Sequence, residues 1–159
     1  MKQVEININI HAYEAVDDLN PQQQELVNAA IDAAKSAWAP YSGFQVGAAL
    51  VLENGETVIG SNQENAAFPS GMCAERVALY QAGARFPGVA VVELAIVALK
   101  KGELIAHPVA PCGACRQVFV ETEHRAKKPF SLVLAGRNQI FCLDRATNLL
   151  PLAFNADEL

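Results

Sequence analysis

Val4, Ile6, Ile8 and Ile10 alternate with Glu5, Asn7 and Asn9, the period of a strand with one buried face. Such a strand covers a sheet edge or reaches a neighbouring subunit; a loose terminal arm is the competing reading. A first helix is predicted from Asn20-Pro21. Asn20 suits the cap, Pro21 the first helical position, and Gln23 stands where a capping-box partner would. Leu26, Val27, Ala30, Ile31, Ala34 and Trp38 recur at helical spacing until Pro40 stops the run. Phe44 to Leu52 and Thr57 to Ser61 read as two strands joined at Asn54-Gly55, a strong hairpin signal. The polar run Asn62-Gln63-Glu64-Asn65 and a turn at Phe68–Gly71 lead into a second helix, from about Cys73 to Gln81, ending at Gly83. Val89 to Leu99 is nearly all apolar, as in a strand buried on both faces. Pro111-Cys112 opens a third helix to about Glu123. Strands follow over Phe130–Ala135 and Gln139–Leu143, then a short helix from Asp144 or Thr147, and an apolar tail from Leu149 to Phe154.

This order predicts an α/β fold in three layers, α/β/α, around a mixed sheet of about five strands, with the N-terminal strand in addition. The 159 residues are expected to form a single domain, 1–159, in which residues 1–19 are an N-terminal extension. Hydrophobic residues at 52 % against 18 % charged exclude a disordered chain. The low charged share fits either an alanine-rich core or apolar surface covered in an oligomer. A net charge of −5 argues against a nucleic-acid partner, and Arg125-Ala126-Lys127-Lys128 is a short basic cluster that reads as a solvated loop. No apolar run approaches the roughly 18 residues of a membrane span, and the N-terminus carries no leader-like segment, so a cytoplasmic protein is expected. Cysteines there are reduced, and close spacing points to metal or redox chemistry.

Three of the four cysteines fall in Ser70-Gly71-Met72-Cys73-Ala74-Glu75-Arg76 and Pro111-Cys112-Gly113-Ala114-Cys115. Cys112 and Cys115, three apart on a helix, share a face. Cys73 begins the preceding helix, and if both helices start at one end of the sheet three thiolates converge. Helix N-termini favour the thiolate, and zinc favours sulfur ligands in tetrahedral geometry. Cys142, His107, His124 and His11 are the candidates for a fourth ligand, and none has metal-ligand spacing to the others. The fourth position is then left for water. Glu75, offset by two from Cys73, can move a proton beside it. Arg76 can offset the negative charge of the sulfurs. A helix-terminal acid, an exposed arginine, a redox Cys-x-x-Cys and a non-catalytic zinc module are the competing readings.

Cys73-Ala74-Glu75 with Pro111-Cys112-Gly113-Ala114-Cys115 resembles the zinc deaminase pattern, in its three-cysteine form. Pro40-Tyr41-Ser42-Gly43-Phe44, Val46-Gly47-Ala48-Ala49-Leu50, Asn62-Gln63-Glu64-Asn65 and Leu149-Leu150-Pro151 with Phe154 narrow the resemblance to the small cytidine deaminases of pyrimidine salvage. The resemblance implies that zinc is held by Cys73, Cys112 and Cys115, and that Glu75 is the catalytic proton carrier. It implies that Asn62 and Glu64 bind the ribose hydroxyls, that the Ala74 backbone meets the base, and that Phe44 stacks near it. Phe154 would enter a neighbour's site in a homotetramer, and Arg76 and Gln117 would support the cysteines. The substrate implied is a free nucleoside, cytidine or deoxycytidine. A relative acting on another amino-substituted pyrimidine is the rival, which a ribose-suited Asn62–Asn65 run disfavours. Ala67-Phe68 departs from the family, where many relatives carry a hydroxyl or thiol residue and a tyrosine.

Overall fold

Strand and helix periods in this chain resolve into seven strands and three α-helices: β1 (His11–Tyr13), α1 (Pro21–Lys35), β2 (Phe44–Leu52), β3 (Thr57–Ser61), α2 (Ala74–Arg85), β4 (Val91–Lys100), β5 (Glu103–Leu104), α3 (Gly113–Ala126), β6 (Ser131–Ala135) and β7 (Ile140–Leu143). The structure, a computed structural model, describes residues 1–159 apart from the side chain of Glu158. The sheet runs β1-β7-β6-β4-β2-β3, with β5 paired to β4. All pairs are antiparallel except β4 with β6, which run parallel. A parallel neighbour needs a crossover, and α3 supplies it.

Alternation along the strands sends two sets of side chains to two faces. Ala49, Ala95, Val97, Val133 and Ala135 meet Leu26, Val27, Ala30 and Ala34 of α1. Ala48, Leu50, Leu94, Ile96, Leu132 and Leu134 meet Ala74, Ala78 and Leu79 of α2 and Phe119 of α3. These two cores on one sheet make the three layers. The face under α1 is lined mainly by small side chains, which lets that helix approach closely: a Cβ on Gly47 would lie 1.9 Å from the Ala30 carbonyl oxygen. The opposite face holds the bulky residues, Phe119 and Phe130 meeting edge-on at 5.7 Å between ring centres.

The sheet is wider than the expected five strands. The five anticipated are present, and β1 and β5 are added. Two residues, Glu103-Leu104, are too few to show a period. The alternating stretch 4–10 is not a strand in the chain; the strand is His11–Tyr13, in register with Cys142, Phe141 and Ile140 of β7. Because β7 ends at Leu143, opposite Ile10 in this register, the residues before Ile10 have no ladder to continue, and Val4, Ile6, Ile8 and Ile10 stay exposed.

Helix boundaries also shift. Asn20 caps α1 as expected, accepting from the Gln23 N–H at 2.9 Å, but the Gln23 side chain turns instead to Glu93, at 2.8 Å. Ser131 also donates to that buried carboxylate, at 2.8 Å. The helix stops at Lys35, short of Trp38. In the other direction, α2 runs through Gly83 to Arg85, and α3 continues past Glu123 to a left-handed Lys127 at φ 53°. A second buried carboxylate, Glu123, accepts from Arg145 Nε at 2.8 Å and the Thr147 hydroxyl at 2.9 Å, fastening the short helix Ala146–Leu149 to α3.

Candidate metal centre and substrate cavity

Cys73 and Cys112 are the N-cap residues of α2 and α3, and neither side chain bonds back to its own helix. Serine, threonine or aspartate there would close on the first-turn amides; these sulfurs are instead free for another partner. Two glycines seat the helices. A Cβ on Gly60 of β3 would stand 2.5 Å from both the Ala74 carbonyl oxygen and the Ala78 nitrogen, so α2 lies directly on the strand backbone. A Cβ on Gly136 would stand 2.6 Å from the His107 carbonyl carbon. The loop before Cys112 is held there by Arg137 N–H to the Ile105 carbonyl at 2.8 Å and Asn138 N–H to the Ala106 carbonyl at 2.9 Å.

The result is convergence. Cys73 Sγ lies 3.8 Å from Cys112 Sγ, which lies 3.5 Å from Cys115 Sγ. All three sulfurs fall within 4.8 Å of one another. Among the described residues no histidine, carboxylate or further cysteine joins this group. Cys142 sits in the core facing α1, its thiol pushed up to about 11 by burial and then by Glu93 and Asp144. Bonding to Cys115 pulls the Cys73 thiol down to about 5, assisted by Arg76 and Cys112, whereas the same contact and burial push the Cys115 thiol up. Three thiolates at this spacing repel one another when no cation lies between them. A soft dication relieves the repulsion, so the donor set fits zinc.

Glu75 is 4 % exposed, one residue inside α2, and stands outside the ligand group. Burial, and next among the raising causes the charge of Cys73, push its carboxyl up. Arg76 donates from Nη2 to Cys73 Sγ at 3.6 Å, while its Nε is buried without a partner among the described residues.

These residues border a cavity of about 660 Å³. Cys73, Ala74, Glu75 and Cys112 line one part of it, Asn62 and Glu64 another, and Tyr41 and Phe68 meet edge-on there at 6.1 Å. The polar run is held as an extension of β3. Gln63 and Met72 exchange backbone hydrogen bonds at 2.9 Å in both directions, Asn62 accepts from Trp38 N–H at 3.1 Å, and Glu64 N–H donates to Trp38 at 2.8 Å. The Asn62 side chain accepts from Val46 N–H at 2.7 Å and donates to the Phe44 carbonyl at 3.0 Å.

Not every anticipated residue reaches the cavity. Phe44 is half-buried beside it and does not line it. Gln117 gives its amide to the Phe154 carbonyl at 2.7 Å and not to a sulfur. Two residues after Cys115 on a helix, it points away from the sulfur's face. Phe154 is largely exposed. Sequence reasoning overlooked Arg116, which bonds the Pro111 carbonyl at 2.8 Å and the Leu149 carbonyl at 2.9 Å, tying the loop before Cys112 to the C-terminal segment. It also overlooked Ser42, a donor to Glu64. Neither pairing carries a periodic signal.

The family model of the cytidine and deoxycytidylate deaminase zinc-binding region matches residues 20–129. A cytidine deaminase of Halalkalibacterium halodurans is 41 % identical over 140 residues, covering 86 % of this chain and 97 % of that protein. Among solved structures, a cytidine deaminase from Burkholderia pseudomallei superposes with a TM-score of 0.69 at 41 % identity, over 82 % of this chain and 97 % of that one. One from Mycobacterium tuberculosis superposes at 0.60 with 34 % identity, over 82 % and 95 %. With converging sulfurs, an unligated acid and a bordering cavity on the same fold as these proteins, the chain belongs to the cytidine and deoxycytidylate deaminase family and is an enzyme of the hydrolytic deaminase class.

Proposed function

We propose that this enzyme deaminates cytidine and deoxycytidine hydrolytically to uridine and deoxyuridine, releasing ammonia, as a cytoplasmic, zinc-dependent homotetramer of pyrimidine salvage. The observation that carries the reading is a three-sulfur group bordering a cavity, with the buried, unligated Glu75 beside it. Cys73, Cys112 and Cys115 would hold zinc, which as a Lewis acid makes water a competent nucleophile near neutral pH.

Glu75 receives the proton of the attacking water and delivers it to N3 of the ring, then to the leaving amine. Its burial suits this work, since a carboxyl pushed up takes and returns a proton more readily than an exposed one. The Ala74 backbone meets the base amide. Asn62 keeps one N–H and one lone pair beyond its two bonds to β2, enough to grip a sugar hydroxyl, and Glu64 accepts from the other. Phe44 packs near the base. Arg76 balances charge on Cys73, and Gln117 supports the site through Phe154, which would reach the cavity of a neighbouring copy.

Glu75→Gln keeps the sulfurs and removes the proton carrier. It is expected to bind a full complement of zinc, by metal analysis, and to lose about 100-fold or more of the turnover followed by the ultraviolet change on adding cytidine. Full activity in that variant overturns the assignment.

A further inference from the structure

Three hydrogen-bond donors from one turn converge on a single carboxylate. Glu64 Oε2 accepts the N–H of Tyr41 at 2.8 Å and of Ser42 at 3.2 Å, and Oε1 accepts the Ser42 hydroxyl at 2.5 Å. That hydroxyl has one proton and two lone pairs. Its oxygen accepts the Phe44 N–H at 3.0 Å, which occupies the acceptor side and directs the proton to Glu64. Gly43, between them at φ 64°, has the left-handed backbone that brings Phe44 N–H back over the Ser42 side chain. The Glu64 backbone is pinned separately, its N–H on the Trp38 carbonyl at 2.8 Å. Glu64 and Ser42 both line the cavity. Three of the roughly four lone-pair sites of the carboxylate are therefore filled from the turn, leaving about one for a ligand. The Ser42 hydroxyl is also the first of the causes that hold the Glu64 carboxyl below the ordinary carboxylate range.

We propose that Ser42 is a positioning residue for the sugar grip: its hydroxyl holds Glu64 in one rotamer as a pure acceptor and so sets the enzyme's discrimination for a sugar hydroxyl. This rests on the reading of Glu64 as a sugar-binding residue. A carboxylate with its other sites filled offers a ligand an acceptor and no donor, so it rewards a hydrogen-bond donor such as a sugar hydroxyl at that point and penalises an analogue that lacks it. Released from Ser42, the side chain samples other rotamers and the reward falls.

The test compares zinc-loaded wild type, Ser42→Ala, Ser42→Thr and Glu64→Gln with cytidine, 2′-deoxycytidine and 3′-deoxycytidine, together with the ¹³C-carboxyl titration of Glu64. Ser42→Ala is expected to raise KM for cytidine about tenfold with kcat within about twofold, the size of one charge-assisted hydrogen bond. It is expected to shrink discrimination against the deoxy analogue that Glu64→Gln identifies, and to move the Glu64 titration upward. Ser42→Thr restores all three. If Glu64→Gln abolishes discrimination while Ser42→Ala leaves it and the titration unchanged, Ser42 does not position Glu64. If Glu64→Gln leaves discrimination intact, the sugar-binding reading itself fails. An equal fall in kcat for all three substrates, with discrimination unchanged, marks general damage and also overturns the proposal. Should Ser42→Ala not fold, Ser42→Cys, a weak donor of similar size, replaces it under the same outcomes.

Discussion

Single side chains in this protein are committed by what they do not bond as much as by what they do. Cysteine at two helix N-caps forgoes a capping hydrogen bond of about 1 kcal/mol each, which leaves Cys73 and Cys112 free to face Cys115. Among the described residues, Arg76 is the cation bonded to that group, through Cys73. Its truncation to alanine is expected to weaken zinc retention by about 10- to 100-fold in a chelator competition, with lysine restoring part of it. Glu64 supplies the pH dependence. Its folded carboxyl titrates below the ordinary 4.5, first because of the Ser42 hydroxyl and next the Tyr41 N–H. The ionised form is the one stabilised, so its contribution is present above the unfolded value and is lost as pH falls through the lower, folded one. Urea unfolding of wild type and Glu64→Gln should differ by a constant amount at pH 6–7, and the difference should close below the ordinary carboxylate range. A difference that grows on acidification has the wrong sign for this account.

Elements are placed by close approach. Helix α2 can present Cys73 and Glu75 because its first turn lies on the bare backbone of Gly60. A methyl group there must push on the Ala74 carbonyl and the Ala78 backbone, which cannot rotate aside. Gly60→Ala is expected to cost about 1–3 kcal/mol in denaturant unfolding and to lower the zinc content of the folded protein, because it lifts one ligand away from two others. Gly83 is the control. It lies inside the same helix with nothing within 4 Å of a built Cβ, so Gly83→Ala is expected to stabilise by roughly 0.4–1 kcal/mol and leave metal content alone.

At the scale of the molecule, α2 and α3 lie on the same face of the sheet and their first turns meet through sulfur. A zinc held there would join β3–α2 to β4–α3, two units otherwise connected through strand pairing and core contact. Metal that binds only the folded state adds about 4 kcal/mol at a thousandfold excess over its dissociation constant. Chelation should lower the Tm while helix content at room temperature, read by circular dichroism, stays near its holo value. Sedimentation of the same holo sample should give the mass of four chains. Trp38, Tyr41, Phe68, Tyr80 and Phe154 are the exposed aromatic groups among the described residues that such an assembly has available to cover. No helix among the described residues is long and apolar enough to cross a membrane.

Local periodicity determined much of this protein. The 3.6-residue recurrence of Leu26, Val27, Ala30 and Ala34, the Asn20-Pro21 start and the Asn54-Gly55 hairpin are decided within a few residues of chain, and the folded molecule keeps them. The spacing Cys112-x-x-Cys115 is legible for the same reason, since helix geometry alone relates neighbours three apart, and Cys73-x-Glu75 is short enough to fall within one helical turn. Distance in sequence hid the rest. Residues 4–10 carry a strand's alternation, yet hydrogen bonding needs a neighbour, and past Leu143, the residue opposite Ile10 in this register, β7 offers none. Gln117 looked like support for cysteine and found the Phe154 carbonyl instead. Glu93 and Glu123 are buried only because Gln23, Ser131, Arg145 and Thr147 arrive from remote segments. Whether Cys73 meets Cys112 depends on the order in which strands pair and on Gly60 and Gly136 admitting backbone at contact distance. Those are properties of register and packing, which no window of the chain contains.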